Sequence, residues 1–403
     1  MPQSSHRDLS ARRLCLLYFF YFAFLGSHGP YIAAILKDRG LSATQLSSLM
    51  AVLPLLTIVA PPLWAGLADR LRARGRVLSI VLFGAAGGCS AFLAIDGIWS
   101  GLAVILLYGF FRSPVITLCD ALTHAFIFPK LEQFGRIRLW GSVGFIFGSV
   151  LIGQLRTVLP DSITQLISAS FLVTAAILIV RKRDPIEQHE NHEEGQALEG
   201  GTTNAWLRGL KFMLKPTALF IAFGNLFHAM GHSSFDAYFA LFAQDYGVGD
   251  HIIGFAWGIG VTAEVVVMRF APDLLRGTAP SKFMILGAAA AVTRWSLMYL
   301  LNDPIISLWL QPLHALTFGL WYLAFSNWLQ NRAPSDIRAT CQGLFLAVMS
   351  VGMASGNFIG GRIIDAFDVR TVYLVAVFPA SISLLLYVAN HWYQTKSANL
   401  QES

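Results

Sequence analysis

The sequence predicts an all-α membrane protein with twelve transmembrane helices in two pseudo-symmetric six-helix bundles. Of its 403 residues, 55% are hydrophobic and only 13% are charged, against about 25% charged residues in an average soluble domain. The apolar residues are grouped into runs long enough to cross a bilayer, which takes about 20 residues in a helix. The longest polar stretch of the chain divides these runs into two sets of six.

Apolar stretches bounded by charged residues, or by Pro, Gly and Asn, define the individual spans. We place the predicted bundles at residues 1–182 and 215–403, joined by a cytoplasmic linker at 183–214. The linker is rich in Glu and has a composition typical of solvated segments, so its His189 and His192 are assigned no chemistry. The predicted spans lie at about 14–36, 45–68, 76–95, 101–125, 138–157, 163–180, 216–242, 252–271, 283–301, 305–329, 340–361 and 371–390.

The distribution of basic residues predicts the orientation of the chain. With the N-terminus inside, most of the 29 Lys and Arg residues fall in cytoplasmic loops, as the positive-inside rule requires. We therefore expect a multi-pass protein of the bacterial inner membrane with both termini in the cytoplasm. The formal charge of +6 is explained by these loops, so nucleic acid is excluded as a partner. We expect a monomer in membrane lipid that binds a small-molecule substrate.

Composition also limits the chemistry that the chain can perform. The four cysteines lie far apart, without the spacing of a disulfide framework or a zinc site. There is no Gly-x-x-x-x-Gly-Lys-Ser/Thr phosphate loop, and the loops leave no room for a nucleotide-binding domain. We therefore expect no metal and no cofactor, with protons as the coupling ion.

Ionisable residues inside spans are the strongest functional signal. A charge at the centre of a bilayer costs at least about 2.5 to 3.5 kcal/mol, so Glu264, Arg294 and His314 need partners or a role. They lie at similar depths and could share one aqueous cavity, where Glu264 would carry a proton. In the first half, Asp120 and Arg138 are placed to form an ion pair. Alternatively, the acids and arginines are neutralised pairs that only tie helices together.

The seventh span carries His228, His232 and Asp236 at four-residue intervals, so the three side chains share one helical face. We interpret this face as a polar cavity wall and select His232 as a substrate contact. The alternative is a catalytic metal site, which would make the protein a membrane-embedded metal-dependent enzyme.

Two further residues are candidate substrate contacts. Arg112 has no carboxylate at i±3 or i±4, and an unpaired guanidinium in a dry site can bind a substrate carboxylate. Its alternative partners are Asp236 and backbone carbonyls. Trp140 is a candidate for stacking on a planar ligand.

Glycines spaced four residues apart predict close helix packing rather than phosphate binding. They are found in the fifth and eleventh spans, at Gly144, Gly148, Gly352, Gly356 and Gly360.

The two halves of the chain and the Asp69-Arg70 pair after the second span resemble the major facilitator superfamily. The resemblance covers nearly the whole chain, although the glycine that opens the family's loop motif is Ala65 here and Gly66 follows it. It implies the major facilitator fold, with Asp69 and Arg70 in a motif that controls conformational change.

Within that superfamily, several segments resemble the branch that contains lactose permease and phenylpropionate permease. The similarity implies that Asp120 and Arg138 hold substrate, and that Glu264, Arg294 and His314 form the substrate and proton machinery. The lactose-type pattern has a second acid where this chain has Thr317. Because that acid is absent here, the proton acceptor is left unassigned, and Glu264 takes the role by elimination, with Asp120 in reserve. The segments are Asp120-Ala-Leu, Phe134-Gly-Arg136-Ile-Arg138-Leu-Trp-Gly141-Ser-Val-Gly144, Ala263-Glu264-Val-Val, Arg294-Trp295 and Leu313-His314-Ala-Leu-Thr317-Phe.

The prediction is therefore a secondary active transporter, not an enzyme, that moves a small organic solute with protons by alternating access. An aromatic carboxylate such as a phenylpropionate-like acid leads as substrate, on the resemblance and on Arg112. A proton-coupled sugar or nucleoside symporter is the alternative within transport, and the metal-dependent membrane enzyme is the alternative outside it.

Overall fold

A computed structural model describes residues 9–128, 130, 133–180 and 202–402, and within these ranges all regular structure is helical. This confirms the prediction of an all-α membrane protein. Because apolar helices satisfy their own backbone hydrogen bonds, they are the structure expected for spans in lipid. The α-helices are α1 (Ala11–His28), α2 (Ile32–Asp38), α3 (Ala43–Arg70), α4 (Arg74–Ala91), α5 (Ile98–Arg112), α6 (Val115–Ile127), α7 (Phe134–Leu155), α8 (Asp161–Ile179), α9 (Thr202–Met213), α10 (Pro216–Asp245), α11 (Asp250–Leu275), α12 (Pro280–Leu301), α13 (Trp321–Arg332), α14 (Arg338–Ala366) and α15 (Thr371–Glu402).

Each predicted span has a helical counterpart among the described residues. Ten helical segments are long and apolar enough to cross a membrane, and α10 meets the same test together with α9, from which it is bent by 85°. The tenth predicted span is broken into a 3-10 helix at Ile306–Leu313, a π-helix at Ala315–Leu320 and α13. Helix α9 lies in the predicted linker, whose His189 and His192 fall outside the described residues.

The chain forms two compact units. Unit 1 contains Met1–Ser42, Leu56–Gln196 and Gly249–Gly258, and unit 2 contains Ala43–Leu55, Ala197–Val248 and Ile259–Ser403. The first part of α3 thus belongs to unit 2, and the first part of α11 belongs to unit 1.

In unit 1, α1 packs closely along α7 because glycines remove the side chains that would hold the two helices apart. A Cβ atom at Gly144 would overlap the carbonyl of Phe19, and one at Gly148 would overlap the carbonyl of Ala23. Small residues of this kind let helix backbones approach each other in lipid. The predicted packing role of these glycines is confirmed.

In unit 2, α10 is the central helix, packed against both α14 and α15. A Cβ at Gly352 would overlap the carbonyl of Leu226, and one at Gly356 would overlap that of Met230. Gly360 lies against the ring of Tyr238. The glycines of the eleventh predicted span therefore also serve packing, as predicted, and they fix the position of α10 and its polar face.

One ionic cluster ties the ends of several helices together in unit 1. Arg156, which is almost fully buried, lies 2.6 Å from Asp250, 2.9 Å from Asp161 and 3.5 Å from Asp38. The guanidinium also lies 5.3 Å from the ring centroid of Tyr31. Only the pair with Asp250 is largely buried on both sides, and breaking such a pair by removing one partner typically costs about 3 to 5 kcal/mol. Arg156 is therefore a structural link between α2, α7, α8 and the start of α11.

The α1–α7 contact predicts a large difference between two glycine substitutions. Gly148→Ala should lower the melting temperature of the purified protein in detergent, because the new methyl group meets the backbone of α1. Gly87→Ala on α4 is the matched control, since no atom lies within 4 Å of its Cβ position, and there alanine should be neutral or stabilise by up to about 1 kcal/mol. Equal melting temperatures for the two variants would contradict the close contact.

Candidate functional site

The polar residues of the second half converge in the interior of unit 2. Helix α10 carries His228, His232 and Asp236, α11 carries Glu264 and α12 carries Arg294. The broken span adds His314, at the junction of its 3-10 and π-helices, and Thr317 and Gln311 on either side. A π-helix is rare and is frequently found at functional sites. Here it brings His314 and Thr317 into the same cluster.

Glu264 and His314 form one acid–imidazole pair. The distance between Glu264 Oε2 and His314 Nε2 is 3.6 Å, and the side chains are only 15% and 9% exposed. Gly319 makes room for the acid, because a Cβ there would lie 2.8 Å from Glu264 Cγ. The Phe318 ring stacks on His314 with centroids 5.4 Å apart. The pair is therefore shielded on one side by an aromatic ring.

Arg294 is 0% exposed and lies within this cluster. Its Nη2 donates to Gln311 Oε1 at 2.5 Å and its Nη1 donates to Thr317 Oγ1 at 3.3 Å. The guanidinium also lies 4.5 Å from the ring centroid of Phe235 and 4.9 Å from that of Trp295. Two neutral acceptors and two aromatic faces thus hold a buried cation.

His232 and Asp236 form a second acid–imidazole pair. His232 Nδ1 is 3.5 Å from Asp236 Oδ2, and His232 Nε2 is 3.5 Å from Thr317 Oγ1. The imidazoles of His232 and His314 lie 5.5 Å apart. His228, one turn earlier, bonds the Thr317 carbonyl through Nε2 at 2.7 Å.

The cluster combines two carboxylates, one guanidinium and three imidazoles in a shielded site. With both acids ionised and the imidazoles neutral, the formal charges leave one negative charge uncompensated, which is costly in a low-dielectric interior. Binding one proton makes the cluster neutral, and binding a second gives it one positive charge. Within the described residues, no group of three His, Cys, Asp or Glu side chains is placed to hold a metal ion.

In unit 1, Asp120 and Arg138 form the ion pair that the sequence predicted. Arg138 Nε is 3.9 Å from Asp120 Oδ1, and both side chains are about one-third exposed. The Tyr18 hydroxyl donates to the same carboxylate oxygen at 2.6 Å, and the guanidinium lies 4.3 Å from the ring centroid of Phe22. Asp120 therefore has a neutral donor and a cation as partners, and part of its carboxylate is accessible.

The other two predicted substrate contacts of unit 1 are less constrained. Arg112 has its guanidinium carbon 5.6 Å from the ring centroid of Tyr108, and its Nε is buried without a hydrogen-bond partner among the described residues. Such a group is available to bind an anion. Trp140 is 46% exposed and packs less closely than the buried Trp295 and Trp321.

At the end of α3, Asp69 bonds Arg74 rather than its neighbour in the sequence motif. Arg74 Nη2 lies 2.9 Å from Asp69 Oδ1, and its Nε lies 3.1 Å from the same oxygen. This pair links α3 to the start of α4 within unit 1.

Several residues that complete these sites could not be predicted from the sequence. Gln311 and Tyr18 are uncharged, so the pattern of intramembrane charges gives no sign of them. Arg74 and Arg156 lie at the ends of apolar runs, and nothing in the sequence indicates their aspartate partners. Asp236 lies on the predicted polar face of its helix, but its pairing with His232 depends on the χ angles of both residues.

The bond between Gln311 and Arg294 predicts a measurable effect on stability. Gln311→Leu leaves the buried guanidinium without its shortest hydrogen bond, which should cost about 1 to 3 kcal/mol and lower the melting temperature in detergent. Gln311→Glu, the matched variant, keeps an oxygen acceptor and should melt close to the wild type. Equal losses in both variants would show that the bond to Arg294 does not stabilise unit 2.

Comparison with solved structures identifies the fold. A mutant of the nucleoside transporter NupG matches with a TM-score of 0.82 at 18% identity, over 94% of this chain and 99% of that chain. A bacterial homologue of the human lysosomal transporter Spinster matches with a TM-score of 0.73 at 15% identity, over 96% and 97% of the two chains. The predicted major facilitator fold is confirmed.

The chain belongs to the MFS_1 like family, whose model matches residues 11–375. It is 27% identical over 354 residues to the probable 3-phenylpropionic acid transporter of Escherichia coli (strain K12), covering 85% of this chain and 90% of that protein. It is 25% identical over 369 residues to the maltose permease of Geobacillus stearothermophilus, covering 89% of each. It is a secondary transporter of the major facilitator superfamily, as the sequence resemblance implied.

Proposed function

We propose that the protein couples the inward movement of a small aromatic carboxylate, such as a phenylpropionate-like acid, to the movement of protons. The two six-helix bundles would expose the solute site to either side of the membrane in turn. Glu264, with His314 and Arg294, would bind and release the proton, and Asp120 is the reserve acid. Arg112, Asp120, Arg138, His232 and Trp140 would contact the solute, and Asp69 and Arg70 would take part in the conformational change.

The observation that carries this proposal is the Glu264–His314 pair beside the buried Arg294. A carboxylate 3.6 Å from an imidazole can pass a proton to it with a small movement of either side chain. The guanidinium, held by Gln311 and Thr317, supplies a fixed positive charge that favours the ionised acid. Protonation of the pair therefore changes the charge balance of unit 2, which is what coupling requires.

Support for an aromatic acid comes from two sources. One relative is named a probable 3-phenylpropionic acid transporter, and Arg112 has a buried Nε that no described group satisfies. A planar guanidinium suits a carboxylate ligand because it can donate two parallel hydrogen bonds.

A sugar or nucleoside is the second candidate substrate. The maltose permease is almost as similar in sequence, and another relative, 23% identical over 346 residues, is named a putative nucleoside transporter. The Asp120–Arg138 pair supports this candidate, since a carboxylate can accept hydrogen bonds from the hydroxyl groups of such a solute and a guanidinium can donate hydrogen bonds to them.

The same proposal includes the setting in which the protein works. We place it as a monomer in the lipid of a bacterial inner membrane, with both termini in the cytoplasm, and with protons as the coupling ion in place of any bound cofactor. The bias of Lys and Arg towards one set of loops supports this orientation.

Vesicles containing the purified protein test the coupling. With an inward proton gradient, labelled 3-phenylpropionate should accumulate above its level in protein-free vesicles, and a protonophore should abolish the excess. Glu264→Gln should lose uphill accumulation but retain exchange of labelled for unlabelled solute, because a neutral amide cannot release a proton. Glu187→Gln, in the predicted linker, is the control and should behave as wild type. Uphill accumulation by Glu264→Gln would make Glu264 a structural residue.

Arg112→Gln tests the choice of solute. If Arg112 binds a carboxylate, the variant should lose at least tenfold in apparent affinity for 3-phenylpropionate while binding of the neutral alcohol 3-phenylpropanol is little changed. Thermal-shift titration with both compounds, and with maltose and xanthosine, measures this. An equal loss for acid and alcohol would contradict an anion site at Arg112, and stabilisation by maltose or xanthosine alone would favour the second candidate.

A further inference from the structure

Unit 2 contains a second carboxylate that is paired with an imidazole, as Glu264 is. Asp236 is one-third exposed at its side chain, but its Oδ1 is buried and accepts no hydrogen bond from any described residue. Its other oxygen, Oδ2, is 3.5 Å from His232 Nδ1. A buried carboxylate oxygen without a donor is costly to keep ionised, whereas a protonated carboxyl group has an O–H that can donate to a neighbouring acceptor.

The groups that face His232 come from three elements. On its own helix are His228, with ring centroids 6.2 Å apart, and Asp236. From the broken tenth span come His314 at 5.5 Å, Phe318 at 5.9 Å and the Thr317 hydroxyl. From α12 comes the Trp295 ring at 5.8 Å, next to Arg294 in the sequence. His232 is therefore surrounded by titratable groups and aromatic rings.

The two acid–imidazole pairs are close enough to affect each other. The imidazoles of His232 and His314 are 5.5 Å apart, and Arg294 contacts Thr317, which in turn contacts His232. Charges at such distances in a shielded interior interact strongly. When two sites interact in this way, their protons are bound and released in coupled steps that belong to the pair of sites.

We propose that Asp236, paired with His232, is a second proton-binding carboxylate, and that its proton and the proton of Glu264–His314 are bound in a coupled manner. This inference rests on the proposed proton coupling and extends it from one proton site to two. In the balanced step, each pair takes up one proton from one side of the membrane and releases that same proton to the other side, with Arg294 charged throughout.

Infrared spectroscopy of the purified protein tests the inference without any solute. The absorption of protonated carboxyl groups is followed as the pH is varied, in wild type, Asp236→Asn, Glu264→Gln and the control Asp96→Asn, which replaces an acid at an exposed turn. Asp236→Asn should remove one titrating carboxyl band and shift the midpoint of the Glu264 band by about one pH unit. Glu264→Gln should remove the Glu264 band and shift the midpoint of the Asp236 band by a similar amount. The control should match wild type.

Three outcomes would overturn the inference. In the first, Asp236→Asn retains every buried carboxyl band of the wild type. In the second, the midpoint of the remaining acid is unchanged. In the third, Asp96→Asn shows the same shift as Asp236→Asn. His232→Gln supplies a second check, since removing the imidazole between the two acids should alter the midpoints of both carboxyl bands. If only the midpoint of the Asp236 carboxyl band changes, the two sites are not coupled through His232.

A transport measurement separates this inference from the proposed function. In vesicles held at zero membrane potential, the steady-state accumulation of 3-phenylpropionate per unit of pH gradient gives the proton-to-solute ratio, which should fall by one in Asp236→Asn. If 3-phenylpropionate is not moved at all, the proposed function fails, while the infrared result still decides on the second proton site. If transport occurs with the same ratio in both proteins, the second site fails and the proposed function stands.

Discussion

The structure of unit 2 depends on one constraint, the burial of the Arg294 guanidinium in a segment that spans a membrane. A charge there costs at least about 2.5 to 3.5 kcal/mol unless the protein satisfies it. Gln311 and Thr317 supply hydrogen bonds, Phe235 and Trp295 supply aromatic faces, and two carboxylates lie in the same cluster. The broken tenth span, which contains Pro312, meets the same constraint, because its 3-10 and π-helical turns bring Gln311 and Thr317 to the cation.

The two units differ in how they hold their acids. In unit 1, Asp120 is partly exposed and pairs with Arg138 and Tyr18, an arrangement open to an incoming polar group. In unit 2, Glu264 is more deeply buried, and both Glu264 and Asp236 pair with imidazoles, which can accept or donate a proton. This difference fits the proposed division of roles, in which unit 1 mainly contacts the solute and unit 2 mainly handles protons.

Much of this architecture could be predicted because it follows from single residues in known periodicities. Apolar runs gave the spans, and four-residue glycine spacing gave the packing of α1 on α7 and of α10 on α14. Intramembrane charges gave Asp120–Arg138 and the convergence of Glu264, Arg294 and His314. The partners of these charges could not be predicted, because Gln311 and Tyr18 are neutral and the pairing of Glu264 with His314 depends on how the broken span turns. Hydropathy likewise gives no sign that Arg156, at the end of an apolar run, is buried among three aspartates.

The central claim is that protons enter with the solute and bind in the cluster of unit 2. The most direct measurement is the pH of a weakly buffered medium when 3-phenylpropionate is added to vesicles with no imposed gradient. After subtraction of the signal from protein-free vesicles, we expect alkalinisation of the medium by wild-type protein and none by a Glu264→Gln, Asp236→Asn double variant. Entry of labelled solute through the wild-type protein without this alkalinisation would show that transport is not coupled to protons.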